Sequence, residues 1–458
     1  MKENTIIQKI KNCFSDKEFY KAMLVLAVPI IVQNLISTSL NMVDTLMIGR
    51  LGEVELAAVG LANKFYFFFS LVLFGIYSGS GIFMAQFHGK KDGKSIKKVM
   101  GLSLAIGLVI SIIFSVLAIV TPEFVLSIFS EDKSLIDTGS QYLKIVGFSF
   151  VLNGIAYGYA IACRSVKLAK LPMVVSMFAL GFNTVLNAIL IFGMFGVVPL
   201  GVRGAAIATL MARIIEFVLI VGIIYYRKLP LAVKFEDFKG ISSKFMKNYI
   251  KIAMPVMIHE GLWSLGMTMY AVAYARIGTD SVAAIQISGT IEDIFFVVII
   301  GVANACAVMI GNKIGEGKKE VAIEYSKKFA ILGIIFGVLM GILIAISAPL
   351  IVKLFKINDH TAKITIIILY IKSVSLIFKF FNTVLFVGIL RSGGDTKFAL
   401  ILEISAVWGI GVTLAFFCSM VLKMPVQLVV IFVSLEEVFK TIVGTRRMKS
   451  NKWIREVV

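Results

Sequence analysis

The stretch "AMLVLAVPIIVQNLISTSLNMVDTLMIGRLG" (22–52) decides the fold of this chain. Its first part, Ala22–Val43, has no charged side chain, and ~20 such residues are enough for a helix to cross the ~30 Å apolar core of a bilayer. Similar runs recur along all 458 residues, of which 59% are hydrophobic and only 16% charged. A soluble domain carries about 25% charged residues. The sequence therefore predicts an all-α polytopic membrane protein.

Twelve transmembrane helices are predicted from these runs. They cover residues 22–48, 56–86, 98–121, 138–161, 170–194, 201–226, 249–275, 282–311, 327–350, 364–388, 396–421 and 425–443. Most of the 46 Lys and Arg residues lie in the two termini and in every second connection. Short basic loops stay cytoplasmic, so both termini are expected in the cytoplasm of a cell-membrane protein. The net charge of +19 then reflects topology and the lipid surface, and no nucleic-acid partner is expected.

The two halves of the chain resemble each other. "AVPIIVQN" (27–34) aligns with "AMPVMIHE" (253–260), which pairs Pro29 with Pro255. Each half has six spans and starts inside, so we predict two parallel six-helix repeats around a central cavity, a common plan of transporters. Because proline removes a backbone hydrogen bond, Pro29 and Pro255 are predicted to bend their helices.

This repeat gives a domain layout. The predicted parts are a cytoplasmic N-terminal segment (1–21), an N-lobe (22–226), a cytoplasmic linker (227–248), a C-lobe (249–443) and a cytoplasmic tail (444–458). The four cysteines are scattered, which indicates neither disulfides nor a zinc site. "HGKKDGKS" (88–95) is one residue short of a phosphate loop and follows no strand, so no nucleotide is expected. Nothing in the sequence suggests a cofactor or an enzyme.

Asp44, directly after the uncharged run, is the first candidate site residue. An ionised carboxylate at a helix centre costs roughly 2.5–3.5 kcal/mol on insertion scales, so it must face protein or a water-filled cavity. We interpret Asp44 as a binding group for a coupling cation or a substrate. The alternative is a structural ion pair with Arg50.

Asn183 and Asn187 of the fifth span are four residues apart, so both amides point along one helix face. Their carbonyl oxygens could ligate a small cation, although such a pair also forms ordinary interhelical hydrogen bonds. Thr209 of the sixth span is equally open to both interpretations, because the small residues around it favour close helix packing.

Glu260 of the seventh span is the other main candidate. It follows Lys251 by nine residues, roughly 13 Å along a helix, which is near mid-membrane, and it is predicted to bind a cation or substrate. His259 is expected on a different face, as a satisfied polar group. Glu216 is expected near the cytoplasmic end of its span. Among the remaining intramembrane charges, Glu436 and Glu437 are expected to pair with Lys440, whereas Lys372 and Lys379 have no assigned partner.

Four segments together resemble the multidrug and toxic compound extrusion (MATE) family over most of the chain. They are "VDTLMIGRLG" (43–52), "NTVLNAILIFG" (183–193), "GVRGAAIAT" (201–209) and "IGNKIGEG" (310–317). The resemblance implies a cation-coupled antiporter that exports organic, often cationic, compounds. It also implies a Na⁺ or H⁺ site at Asp44, Asn183, Asn187 and Thr209, and a second acid at Glu260. Asn187 stands where relatives have a second acid, so a proton relay between two carboxylates is in question.

The mechanism also follows from charge alone. A carboxylate in a low-dielectric cavity is stabilised by H⁺, Na⁺ or a cationic solute, and only one of these occupies it at a time. Exchange of a coupling cation for a small organic cation follows from that competition. The chain is expected to act as a monomer. Two alternatives stay open: a flippase for a lipid-linked oligosaccharide, with a cationic cavity for pyrophosphate, and a receptor or scaffold that transports nothing.

Overall fold

The computed structural model describes residues 16–238, 242–355 and 357–458, and this part of the chain is mainly helical, without strands. The first eight α-helices are α1 (Lys17–Gly49), α2 (Glu53–Gly89), α3 (Gly93–Val120), α4 (Pro122–Ser127), α5 (Lys133–Gly147), α6 (Ser149–Ser165), α7 (Lys170–Phe192) and α8 (Gly201–Tyr226). The others are α9 (Ser243–Ala275), α10 (Thr279–Gly315), α11 (Lys319–Val352), α12 (Asp359–Thr383), α13 (Thr396–Ala406), α14 (Thr413–Phe416) and α15 (Val426–Lys449). π-Helical turns at Val384–Leu390, Val407–Val412 and Phe417–Val421 continue α12, α13 and α14.

Helices occupy all twelve predicted spans, which confirms the all-α polytopic class. Within the described residues, nine helical segments are long and apolar enough to cross a membrane, or ten if the bent pair α5–α6 counts as one span. The remaining two spans correspond to α9 and α15, long helices with ionisable side chains in their middle. At about half of the predicted ends the helices extend by several residues, because polar residues at a span's ends join the same helix.

The fourth span is bent, which the sequence analysis did not predict. α5 and α6 meet at 53° around Phe148, between Gly147 and Ser149. Gly and Ser pairs are common sites of sharp helix kinks. The Ser149 hydroxyl donates to the Val146 carbonyl at 2.6 Å, and the Ser115 hydroxyl donates to the Gly147 carbonyl at 2.8 Å. The carbonyl groups next to the kink therefore accept side-chain hydrogen bonds.

The helices repeat as the sequence does. α1 and α9 each have 33 residues, and α2 and α10 each have 37. Gly52 and Gly278 precede the second member of each pair, with φ of 156° and 147°. Both Pro29 and Pro255 lie inside their helices. The internal repeat is therefore present in the local structure as well as in the sequence.

The chain forms two compact units, one of residues 32–257 and one of residues 1–31 with 258–458. The boundaries fall inside α1 and α9, two residues after each of the repeat-related prolines. The predicted lobes, 22–226 and 249–443, follow the sequence repeat instead and remain a prediction. The 32–257 unit has an aromatic core in which the rings of Phe69 and Phe150 stack at 4.8 Å.

In the other unit, the C-terminal residues pack onto the turn before α13. Trp453 is fully buried, and the Arg455 amide donates to the Gly393 carbonyl at 2.8 Å. The Asp395 carboxylate accepts from Arg447 at 2.7 Å and lies 2.7 Å from Arg455. The segment predicted as a tail is therefore helical to Lys449 and docked beyond it.

The start of α1 is fixed to α11 by one buried lysine of that unit. Lys328 Nζ lies 2.6 Å from Asp16 Oδ2 and 5.2 Å from the centre of the Phe19 ring. The hydrogen bond from Lys328 holds the pKa of Asp16 below its usual value. A carboxylate with a depressed pKa stabilises the fold above its unfolded pKa, and that stabilisation is lost as the pH falls through the folded value.

We therefore expect the first turns of α1 to lose protection at acidic pH. Hydrogen exchange of residues 17–23, corrected for its intrinsic pH dependence, should show protection at pH 7 that is reduced near pH 3. Asp16→Asn should show the reduced protection at both pH values. Equal protection in the variant and the unaltered protein at pH 7 would contradict this role of Asp16.

Candidate functional site

The site of the 32–257 unit depends on a close approach of α7 and α8. A side chain at Gly204 would meet the Leu190 backbone, whose oxygen lies 2.5 Å from the Cβ position, so only glycine permits this spacing. The Leu200 amide also donates to the Leu190 carbonyl at 2.9 Å. These contacts align the polar face of α7 with that of α8. The small residues of "GVRGAAIAT" therefore serve helix packing, as the sequence analysis allowed.

Asp44 of α1 meets the two asparagines of α7. Asn187 Nδ2 donates to Asp44 Oδ1 at 2.8 Å and lies 3.4 Å from Asn183 Oδ1. Both asparagines are buried. Asp44 thus accepts from a neutral amide and not from Arg50, whose side chain is exposed. The predicted shared face of Asn183 and Asn187 is present, and the alternative Asp44–Arg50 pair is not.

These residues line a cavity of about 410 Å³. Thr209 also lines it, with its hydroxyl donating to the Ala205 carbonyl at 3.0 Å, which leaves the hydroxyl oxygen able to accept. Ligand pockets usually have ~300–1,000 Å³. The cavity therefore has the size for a small organic molecule, and it collects four of the five predicted binding residues.

Two charged residues that the sequence analysis did not place in the site line the same cavity. Arg213 Nη1 lies 2.6 Å from Glu216 Oε2. The guanidinium of Arg213 also lies 5.9 Å from the centre of the Tyr66 ring and donates to its hydroxyl at 3.3 Å. Thr209, Arg213 and Glu216 follow a spacing of four and then three residues, which places them on one helix face. That spacing is the sequence signal that could have placed Arg213 and Glu216 in the site.

A chain of hydrogen bonds continues from Glu216 away from the cavity. The Ser176 hydroxyl donates to Glu216 Oε1 at 2.9 Å and accepts from Gln33 Nε2 at 2.9 Å. Arg164 Nη2 in turn donates to Gln33 Oε1 at 2.8 Å. Both carboxylate oxygens of Glu216 are thereby occupied, one by Arg213 and one by Ser176. Glu216 is part of a buried polar network rather than a solvated helix end.

The donor set fits a small hard cation. A carboxylate, amide carbonyls and a hydroxyl are oxygen ligands of the kind that hard cations prefer. Asn187 Oδ1 is buried and has no hydrogen-bond partner in the described part of the chain, and the same holds for Asn183 Nδ2. A cation near Asp44 would supply what the Asn187 oxygen lacks. Asp44, Asn183, Asn187 and Thr209 are thus the residues that would hold Na⁺.

Glu260 does not line this cavity; it belongs to the other unit. Arg391 Nη2 lies 2.5 Å from Glu260 Oε1 and 2.8 Å from His259 Nδ1. His259 Nδ1 is itself 3.4 Å from Glu260 Oε1, and His259 Nε2 is 3.6 Å from Glu403. The expectation that His259 and Glu260 would be separated on different faces was wrong, because the Arg391 guanidinium brings both side chains together.

Lys440 and Glu292 are the centres of two further groups of paired intramembrane charges in that unit. Lys440 Nζ lies 2.9 Å from Glu403, 3.6 Å from Glu436 and 3.2 Å from Glu437. The expected pairing of Glu436 and Glu437 with Lys440 is thus confirmed. The Glu292 carboxylate forms ion pairs with both lysines that had no assigned partner in the sequence analysis. Lys372 lies 3.0 Å from it and Lys379 lies 2.5 Å from it.

A polytopic helical protein whose polar cavity holds a carboxylate that forms no ion pair with the described basic residues has the architecture of a membrane transporter. The MatE family model matches residues 29–189 and again residues 255–417. The two matches begin at the paired prolines, so the family unit is the repeat found in the sequence. The chain belongs to the MatE family, and the resemblance to MATE transporters is confirmed.

Named relatives match most of the chain. A probable multidrug resistance protein NorM of Thermotoga maritima is 24% identical over 87% of this chain and 85% of its own length. The multidrug resistance protein NorM of Burkholderia vietnamiensis is 26% identical, with 84% of each chain covered. The probable multidrug resistance protein YoeA of Bacillus subtilis is 23% identical, with 90% and 89% covered.

Solved structures share the fold. An outward-facing multidrug resistance MATE family transporter of the MOP superfamily superposes with a TM-score of 0.86 at 20% identity and covers 94% of this chain and 96% of its own. A MOP superfamily transporter from Pyrococcus furiosus, described with a binding pocket of reversed polarity, gives 0.85 at 20% identity with the same coverage. The chain therefore has the fold of these solved structures.

Proposed function

We propose that this chain is a cation-coupled antiporter that exports small organic, often cationic, compounds by alternating access, with Na⁺ or H⁺ as the coupling ion. The observation that carries the proposal is Asp44, a carboxylate that meets a neutral amide in a cavity of about 410 Å³. The names of the relatives, multidrug resistance proteins, support export of such compounds. We further propose a monomer in the cell membrane with both termini cytoplasmic.

The exchange follows from competition for one charge. A carboxylate in a cavity of low dielectric is most stable beside a cation, and Asp44 can bind only one cation at a time. Binding of Na⁺ through Asp44, Asn183, Asn187 and Thr209, or protonation of Asp44, would release a cationic solute. Binding of the solute from the other compartment would displace the coupling ion. If the cavity faces the two compartments in turn, this competition yields antiport.

Glu260 stays in the proposal as a second group for the coupling ion, but unlike Asp44 it is already paired with a basic residue. Its oxygen already faces the Arg391 guanidinium at 2.5 Å. Glu260 would therefore bind a cation only after this pair opens. Pro29 and Pro255, inside α1 and α9, are proposed as the points where those helices bend between states.

The two other functions considered from the sequence fit less well. A flippase for a lipid-linked pyrophosphate needs a cationic cavity, but two carboxylates face one guanidinium in the cavity of the 32–257 unit. A receptor or scaffold role explains neither the match to a transporter family nor the unbalanced charge of Asp44.

Dye export from reconstituted vesicles distinguishes these functions. We expect an organic cation such as ethidium to be exported at a rate that rises with an opposing Na⁺ or proton gradient and falls when that gradient is dissipated. Vesicles without the protein give the background rate. An export rate that depends on neither gradient would contradict coupling to Na⁺ or H⁺. No export would favour the flippase or the scaffold.

A further inference from the structure

The cavity of the 32–257 unit is lined by three side chains with a formal charge: Asp44, Glu216 and Arg213. Arg213 and Glu216 neutralise each other at 2.6 Å, and their side chains are only 26% and 15% exposed. Asp44, in contrast, accepts from the neutral amide of Asn187. The cavity therefore has one uncompensated negative charge, not two.

We infer that Arg213 sets the charge of the transported compound, so that the site selects singly charged organic cations over doubly charged ones. This inference rests on the proposed function and names its substrate class. A single positive charge balances Asp44. A second positive charge would stay uncompensated in a confined site of low dielectric, which is unfavourable. Arg213 acts as a fixed internal cation that occupies the second carboxylate.

The position of Arg213 is held by more than Glu216. Its guanidinium lies over the Tyr66 ring at 5.9 Å and donates to the Tyr66 hydroxyl at 3.3 Å, and that hydroxyl also accepts from Asn153 Nδ2 at 2.5 Å. Cation–π contact and the hydrogen bond both favour a guanidinium at this place. Glu216 is anchored separately by the Ser176 hydroxyl at 2.9 Å. The ion pair is thus a built part of the cavity wall.

The charge count makes opposite predictions for the two partners. Arg213→Gln leaves Asp44 and Glu216 both uncompensated, so the cavity should gain affinity for a dication. Glu216→Gln frees Arg213, and Asp44 becomes the remaining carboxylate of the cavity for its guanidinium. That variant should bind every organic cation weakly. The double variant Arg213→Gln/Glu216→Gln returns the cavity to one negative charge.

Ethidium and propidium test this directly, because they share a phenanthridinium ring and carry one and two positive charges. Both dyes are titrated onto the purified, folded protein by fluorescence, and the ratio of the propidium Kd to the ethidium Kd is measured. We expect Arg213→Gln to lower this ratio about tenfold or more, since an added negative charge attracts the dication more. Glu216→Gln should weaken both dyes about tenfold or more, and the double variant should return the ratio to near the original value.

Arg203→Gln is the matched control, since Arg203 is exposed at the start of α8, bonds to Gln141 at 2.9 Å and does not line the cavity. A ratio unchanged by Arg213→Gln, with ethidium still bound, overturns the inference. If Arg213→Gln yields no folded protein, Glu216→Gln decides, and unaltered ethidium binding in that variant also overturns it. Gradient-driven export of ethidium by the unaltered protein is tested separately, so its absence would identify a failure of the proposed function instead.

Discussion

Asp44→Asn should abolish gradient-coupled export while the protein still inserts and folds. The substitution keeps the size of the side chain and removes the one uncompensated charge of the cavity. Two unit charges about 4 Å apart attract by ~4 kcal/mol at an effective dielectric near 20. Desolvation of the cation offsets part of this attraction. Because each 1.4 kcal/mol is about tenfold in affinity, we expect at least a tenfold loss of cation binding.

The measurement is dye export from vesicles with equal amounts of monodisperse protein. Asp137→Asn is the matched control, because it makes the same chemical change at an exposed position of α5 that does not line the cavity. The control should export at the original rate. Normal coupled export by Asp44→Asn would show that the charge exchange takes place elsewhere, and Glu260 would become the leading candidate.

Arg391→Gln should destabilise the protein by about 3–5 kcal/mol, because it removes the guanidinium that neutralises the buried Glu260. Arg391 and Glu260 are 3% and 8% exposed, and their charged atoms lie 2.5 Å apart. Breaking one side of a buried pair costs far more than removing both charges, since the desolvated carboxylate stays behind. His259 and Glu403 extend the same cluster, so the change disturbs more than one contact.

The double variant Arg391→Gln/Glu260→Gln should recover most of that loss, because it removes the uncompensated charge as well. The free energy of unfolding in mixed micelles is measured for both variants and for Arg276→Gln, an exposed arginine of the same unit, as the control. An equally large loss in the double variant would mean that Arg391 stabilises the protein by packing rather than by neutralising Glu260.

Much of the fold was predictable because the membrane imposes strong rules on sequence. The uncharged run Ala22–Val43 and its successors predicted every helical span, and the paired Pro29 and Pro255 predicted the repeat. The bend at Gly147 and Ser149 was missed, since an apolar run looks the same whether its helix is straight or kinked. Docking of Trp453 was missed for a related reason: a short polar tail gives no periodic signal.

The site was predictable where spacing along one helix was enough. Asn183 and Asn187 share a face of α7 and meet Asp44 as expected. Arg213 and Glu216 were not assigned, although Thr209 and its helical spacing pointed to them, because Glu216 was placed at a solvated end. The partner of Glu260 could not be predicted, since Arg391 is distant in sequence and sits in a turn after a π-helical segment.

The central claim is that coupling ion and cargo occupy Asp44 in turn. The direct test is a competition experiment in which ethidium binding to the purified protein is titrated at increasing Na⁺ and, separately, at decreasing pH. One of these cations should raise the apparent Kd of the dye in proportion to its own concentration while the amount of dye bound at saturation stays constant. If the apparent Kd of the dye changed with neither ion, the dye and the ions would bind at separate, uncoupled sites. That result would contradict exchange at one carboxylate.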